Sequence, residues 1–277
     1  MKKHILPLGI LMTSFLICSS QVNYMSVQPM KNRITSSKKS VSSSSTIKVP
    51  TITWGGDIAT LLAEQNGIFQ KNGLNISLFR EDNFQKQVER CLSGETPYLR
   101  GTMGMINSSA EALKSKGVDL VVIYQITWST GGDAMVVRAG KSLRNIKTVG
   151  LQLYGPHMDY AANLFSQSGR LNQISFKWLP ELTLPTYNTK GKILDPVSAF
   201  ESDAGMDASM CIIPDALMLT SNGTVGTGAE GSVKGAKILL STKTAGRIIA
   251  DVYAVRKDYY DANKSFFYAS TYNRAIF

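Results

Sequence analysis

The sequence predicts an α/β protein of two lobes, with mostly parallel sheets, helices on both faces of each sheet, and a cleft between the lobes. Three observations carry that expectation. Short apolar, β-branched runs alternate with stretches of helical periodicity, first over 47–127 and again over 148–256; this is the pattern of parallel strands joined by helical crossovers. Between the two series, Trp128-Ser129-Thr130-Gly131-Gly132-Asp133-Ala134-Met135-Val136-Val137-Arg138 places small, flexible residues between two apolar runs, as suits a passage from one lobe to the next. The 277 residues fit two domains of roughly 100–150 residues each.

At the N-terminus, Lys2-Lys3-His4 precedes an apolar run over 5–17 and then Cys18-Ser19-Ser20. A basic head, a short apolar core and small residues read as an export signal over 1–20, too short to span a bilayer. Cys18 offers lipid anchoring as an alternative to cleavage after Ser20, although Ile17 is bulkier than the residue a lipoprotein peptidase accepts. Residues 21–46 hold Ser, Lys and Thr with few large apolar side chains, and read as a flexible tether.

The first lobe is expected over 47–130, completed by 249–277. A strand over 47–54 ends at Gly55-Gly56-Asp57, with Asp57 as N-cap of a helix over 58–66. A strand over 75–80, a helix over 84–92 and a strand over 102–107 follow. Ser108-Ser109 then caps a third helix that Gly117 ends, and 118–127 is the fourth strand. The second lobe, 131–248, holds strands over 134–137, 148–153, 175–179, 208–213 and 237–240. Its helices are expected over 158–167, over 196–201 and after Pro214, with a Gly-rich loop over 221–234. The strand over 249–256 returns towards the first lobe.

Several function classes recede on composition. Net charge is +10, but residues 1–47 hold six Lys/Arg and no Asp/Glu. The remainder has 24 Lys/Arg against 20 Asp/Glu, a net of +4 without a basic cluster of the kind that tracks phosphates, so nucleic acid is not an expected partner. Cys91 and Cys211 read as buried small apolar residues, and no Cys/His cluster has metal-ligand spacing. His157 and Asp159 invite a triad, yet residues two apart do not face each other on a helix, and no G-x-S-x-G elbow occurs. Gly226-x-Gly228-x-x-Gly231 has the spacing of a dinucleotide fingerprint but lacks its strand and helix. Neither a catalytic residue nor a cofactor is therefore expected.

Asp57-x-Ala59-x-x-x-Ala63-x-x-x-Gly67-Ile68-Phe69-x-x-x-Gly73-Leu74-x-Ile76 resembles the opening of the nitrate/sulfonate/taurine-type solute-binding proteins of ABC importers. Gly132-Asp133-Ala134-x-Val136-Val137-Arg138, Asp207-Ala208 with Pro214-Asp215, and Asp251-Val252-Tyr253-x-Val255-Arg256-Lys257-Asp258 continue the likeness over 47–264. The resemblance implies the type II periplasmic-binding-protein fold, a small solute held between lobes that close about a hinge, and docking of a monomer on a membrane permease outside the cytoplasm. It departs in two places. Relatives continue with further helices where this chain has an aromatic tail over 266–277, which reads as a truncated C-terminus, and no Arg or Lys can be assigned as an anion clamp. Eukaryotic enzymes that make the thiamine pyrimidine precursor use the same fold, but their cysteine-rich iron motif is missing here. An enzyme on this fold and a ligand-sensing receptor subunit remain the alternatives.

In doubly wound sheets ligands sit at the carboxyl ends of strands, and the expected site follows from that rule. Trp54 with Gly55 and Gly56, and Trp128 with Ser129, fall at strand ends, where an aromatic face could cover a ligand or merely pack a lobe edge. Ser108 and Ser109 would offer a helix N-terminus to an anion or simply cap the helix. Tyr154, Gly155 and His157 would meet the ligand from the second lobe, or His157 would be a capping residue. Asp215 is either a ligand acceptor or an N-cap.

Overall fold

The computed structural model describes residues 22–42, 45–183, 191–222, 231–264 and 267. The expected signal segment with Cys18, the fingerprint glycines Gly226 and Gly228, and the tail over 268–277 lie outside the described residues. So does the test of whether the C-terminus is truncated.

The first series runs β1 (Ile47–Thr51), α1 (Ile58–Gln65), α2 (Ile68–Lys71), β2 (Ile76–Arg80), α3 (Phe84–Leu92), β3 (Tyr98–Thr102), α4 (Met103–Ser115) and β4 (Leu120–Trp128). The second runs β5 (Asp133–Val137), β6 (Thr148–Gln152), α5 (Met158–Gln167), β7 (Ser175–Leu179), α6 (Pro196–Ser202), β8 (Ala208–Ile212), α7 (Ile213–Leu219) and β9 (Lys237–Ser241). After them come β10 (Ala250–Arg256) and α8 (Lys257–Ala262).

β1 and β2 pair in parallel, and β10 lies between β3 and β4, antiparallel to both. The Thr96 hydroxyl donates to Lys48 O (2.7 Å) and the Tyr253 hydroxyl to Pro50 O (2.9 Å), tying these two sheets side by side. The other sheet has the order β7-β6-β8-β5-β9, with β6 parallel to both neighbours and β5 antiparallel to both of its own. Each antiparallel strand is the one the chain enters on leaving the other set of strands. The strands are otherwise parallel and flanked by helices, as expected.

Local chemistry explains the elements. All five residues of β5 are buried, the signature of a strand covered on both faces. Asn83 caps α3 by accepting from Lys86 N, and Asp195 caps α6 by accepting from Val197 N and Ser198 N, with Pro196 in the first turn. Cys91 and Cys211 are buried free thiols.

Three local expectations are corrected. The strand placed over 102–107 is instead β3, four residues earlier, because the Thr102 side chain accepts from Met105 N and starts α4 there. A strand containing Arg100 and Gly101 is hard to read as apolar, yet Arg100 is fully buried by pairing with Asp57 (2.6 Å). Asp57 is accordingly not a side-chain cap of α1; it receives Ile52 N (2.7 Å) and the Arg100 guanidinium. Finally, residues 22–42, read as a flexible tether, lie packed on the body: Met30 and Ile34 are buried beside α3 and α4 residues, and Met25 bridges to Trp178. Buried Met30 and Ile34, together with hydrogen bonds to the body, hold a segment most of whose other side chains face solvent.

Candidate functional site

A cavity of about 640 Å³ opens where the carboxyl ends of five strands converge. Ile52 follows β1, Arg80 ends β2, Gln152 ends β6, Pro180 follows β7 and Ile212 ends β8, and all line it. Strands of both series therefore contribute, and Met105 in the first turn of α4 adds to the wall. Behind the cavity the two series touch. A Cβ on Gly104 would stand 2.5 Å from the Asp159 carboxylate, so a larger residue there would have to push that side chain aside.

The wall mixes apolar and charged groups. Trp54, Phe84, Met105, Leu153 and Tyr154 give it aromatic and aliphatic surface. Its acids are already engaged by the protein. Asp82 accepts from Thr53 N (2.7 Å), Thr53 Oγ1 (2.8 Å) and Arg80 Nε (2.5 Å), while Glu81 pairs with Arg90 (3.3 Å). Glu181 lines the cavity too and has partners of its own. Apart from Arg80, the cations are less committed. Lys86 makes no ion pair among the described residues, and the Arg33 guanidinium stands 5.9 Å from the Tyr154 ring centroid. Burial raises the Tyr154 hydroxyl above its usual pKa, against the opposing pull of Arg33.

Lys86 is the third residue of α3, where a cation meets the positive end of the helix dipole. That placement is unfavourable by itself, and an anion between Lys86 and the first-turn amides of Phe84 and Gln85 would reverse the sign. The cavity can thus take a small molecule with an anionic head and an apolar body, the head at α3 and the body against Trp54 and Met105.

The expected site residues separate clearly. Trp54 and Tyr154 are on the wall. Gly55 and Gly56 flank it; a Cβ on Gly56 would meet Asp251 Oδ2 at 3.0 Å and Thr127 Oγ1 at 3.2 Å, which makes it a packing position. Ser108 and Ser109 are in the middle of α4, donating to Met105 O (2.7 Å) and Ile106 O (2.8 Å), so neither marks a helix start. Gly155 is buried beside Gln152, and Trp128 ends β4 away from the cavity lining.

His157 is fully buried and bonds Asp133 Oδ1 at 2.6 Å. Ser129 also donates to Asp133, and its hydroxyl lies 2.8 Å from Thr242 Oγ1. Burial alone would push the Asp133 carboxyl up; the hydrogen bond and charge of His157, helped by Ser129, outweigh it and hold it low. These residues brace the crossovers and do not reach the cavity. Asp215 sits on α7, away from the cavity, where burial and neighbouring Asp195 push it up to about 6. Sequence reading missed Arg33, Arg80 and Lys86, and the only available signal was the basic residue opening α3.

No family model and no curated protein matches the sequence. Solved structures do match. The periplasmic aliphatic sulphonate binding protein of Escherichia coli aligns over 82% of this chain and 66% of its own, with a TM-score of 0.56 at 16% identity. The fold is that of the periplasmic binding proteins. The alkanesulfonate-binding protein of Xanthomonas axonopodis pv. citri, bound to MOPS, covers 83% of this chain and 72% of its own (TM-score 0.54, 14% identity). A Candida albicans protein with the generic periplasmic binding protein fold covers 79% and 66% (TM-score 0.52, 14% identity). This chain therefore spans about two thirds of the length of these neighbours. Those named for a ligand are binding proteins rather than enzymes.

Proposed function

We propose that this chain captures a small solute with an anionic head in the cavity between its two sets of strands and delivers it to the permease of an ABC importer. The observation that carries the reading is the cavity itself: it lies at strand carboxyl ends of both series, in a periplasmic-binding-protein fold, with a lysine in the first turn of α3 that makes no ion pair among the described residues. The lobes are 47–130 with 249–277, and 131–248; they close about the crossovers at 129–132 and 242–249. Export to the periplasm, or to the outer face of the membrane through Cys18, and a monomeric state complete the reading. The role is capture without turnover.

The site residues in this reading are Trp54 and Tyr154 as walls, with Lys86 and the α3 amides as head-group donors. A thermal-shift screen of the chain from Gln21 onward, against oxyanions, alkanesulfonates including MOPS, pyrimidines, ureas and amino-acid derivatives, tests it. A ligand at 100 times its Kd adds about 2.7 kcal/mol to stability, easily seen as a raised midpoint. Lys86→Ala should then weaken an anionic hit by about tenfold, as expected for one charge-assisted hydrogen bond. Recovery of a chemically altered ligand would overturn capture without turnover, and a hit that Lys86→Ala binds as tightly as the parent would overturn the anion site.

A further inference from the structure

Residues 22–42 do more than precede the fold: they run alongside the cavity from β7 to α3. At the second sheet, Met25 N donates to Trp178 O on β7 (2.9 Å), and the Tyr24 hydroxyl donates to Asp203. Midway, the Tyr154 hydroxyl donates to Gln28 O, and the segment contributes Met25 and Arg33 to the cavity wall. At the first series, Thr35 N and Ser36 N donate to the Glu89 carboxylate of α3 (2.7 and 2.8 Å), and Lys39 N donates to Leu92 O (2.9 Å).

The two ends are not equally held. The α3 end has the Glu89 bonds, the Lys39 amide bond and two buried apolar side chains, Met30 and Ile34, whereas the β7 end has one backbone bond, the single Tyr24–Asp203 bond and half-buried side chains. Any opening of the cleft has to stretch this segment, and the weaker end yields first. We propose that residues 22–42 are a strap forming the third wall of the solute site: fixed to α3, it releases and re-engages β7 as the cleft opens and closes, and it presents Arg33 to the anionic head. The role of Arg33 rests on the solute-binding reading above; the strap's attachment does not.

Hydrogen exchange on the full chain tests both parts, with butane-1-sulfonate as probe. Without the probe, the Met25 amide should exchange at least tenfold faster than the Lys39 amide. Tyr24→Ala should speed exchange at Met25 by tenfold or more and leave Lys39 unchanged. Saturating probe should slow exchange at Met25, Arg33→Ala should raise its Kd tenfold or more, and Arg33→Lys should recover part of the loss. Equal and unprotected exchange throughout 22–42 would overturn the strap. Unchanged affinity in Arg33→Ala would overturn its contact with the solute. Absence of probe binding to the parent chain would overturn the Arg33 assignment and this ligand class together, while the Tyr24→Ala comparison still decides the strap.

Discussion

Each antiparallel strand has an aspartate within its first two residues, and the two aspartates are held in different ways. Asp133 opens β5 and Asp251 is the second residue of β10. Each accepts from or sits beside a threonine at the end of the neighbouring strand: Thr127 donates to Asp251 Oδ2 (2.8 Å), and Thr242 lies against Asp133 N (3.1 Å). In the first series the buried cation is Arg100, permanently charged and shared between Asp57 (2.6 Å) and Asp251 (3.5 Å). In the second the buried partner is the His157 ring, which serves Asp133 alone. One guanidinium between two carboxylates leaves Asp251 short: burial, with Asp57 adding to it, wins over Arg100 and Thr127 and raises its pKa. One imidazole with one carboxylate and a serine leaves Asp133 lowered. The same place in the two halves of the fold is therefore over-charged in one and satisfied in the other.

The largest test of that contrast removes the guanidinium. Arg100→Met leaves Asp57 and Asp251 buried without their cation, and breaking a buried pair this way costs about 3–5 kcal/mol. The thermal midpoint should fall by about 10 °C, at roughly 2–4 °C per kcal/mol for a chain of this size. A fall of only a degree or two would mean that water already reaches the cluster.

The pH dependence sharpens it. A carboxyl lowered by folding contributes stability above its unfolded pKa, lost as pH falls through the lowered value; a raised one opposes folding as pH rises above its unfolded pKa. Both have an ordinary value of 3.8. At pH 7, Asp133→Asn should therefore cost about 1–3 kcal/mol, as for a charged hydrogen bond lost, and the cost should shrink as the pH drops below that value. Asp251→Asn should be near neutral or stabilising at pH 7 and lose any advantage as pH falls to 3.8 and below. Midpoints of the two variants and the parent between pH 7 and 3 measure this, and parallel curves for the two variants would sink the comparison.

Much of this fold was legible in the sequence because strand burial and helix periodicity are local. The helices Phe84–Leu92 and Met158–Gln167 and the strand Ser175–Leu179 have the residue bounds that the pattern gives. The crossover at Gly131-Gly132 was equally legible, since only small residues permit so short a passage. β3 was misplaced because its Arg100 looks polar until Asp57, distant in sequence, neutralises it. The site was less legible for the same reason. Trp54, expected from the strand-end rule, and Tyr154, expected from its place beside a helix start in the second lobe, both lie on the cavity wall, whereas Arg33 reaches the cavity only through the packing of Met30 and Ile34. His157 looked like a ligand group because nothing local reveals that Asp133, 24 positions away, takes its ring.

The smallest test concerns the two threonines. Thr242 Oγ1 accepts from Gly131 N (2.9 Å) and Asp133 N (3.1 Å) and lies 2.8 Å from Ser129 Oγ, so it ties one crossover to the other. Thr127 Oγ1 has the single bond to Asp251. Valine has the shape of threonine without the hydroxyl, so Thr242→Val strands the buried Asp133 amide and the half-buried Gly131 amide and should cost about 2 kcal/mol, against about 1 kcal/mol or less for Thr127→Val. Relief of the crowded Asp251 could not be gained by the latter, because the threonine stabilises the charged form. Exchange at the Gly131 amide provides the local reading: it should quicken in Thr242→Val and stay unchanged in Thr127→Val. If both variants cost the same and neither alters Gly131, the crossovers are held together by their backbones alone, Ser129 N to Ile249 O (2.9 Å) foremost, and the hydroxyl is not the pin of the hinge.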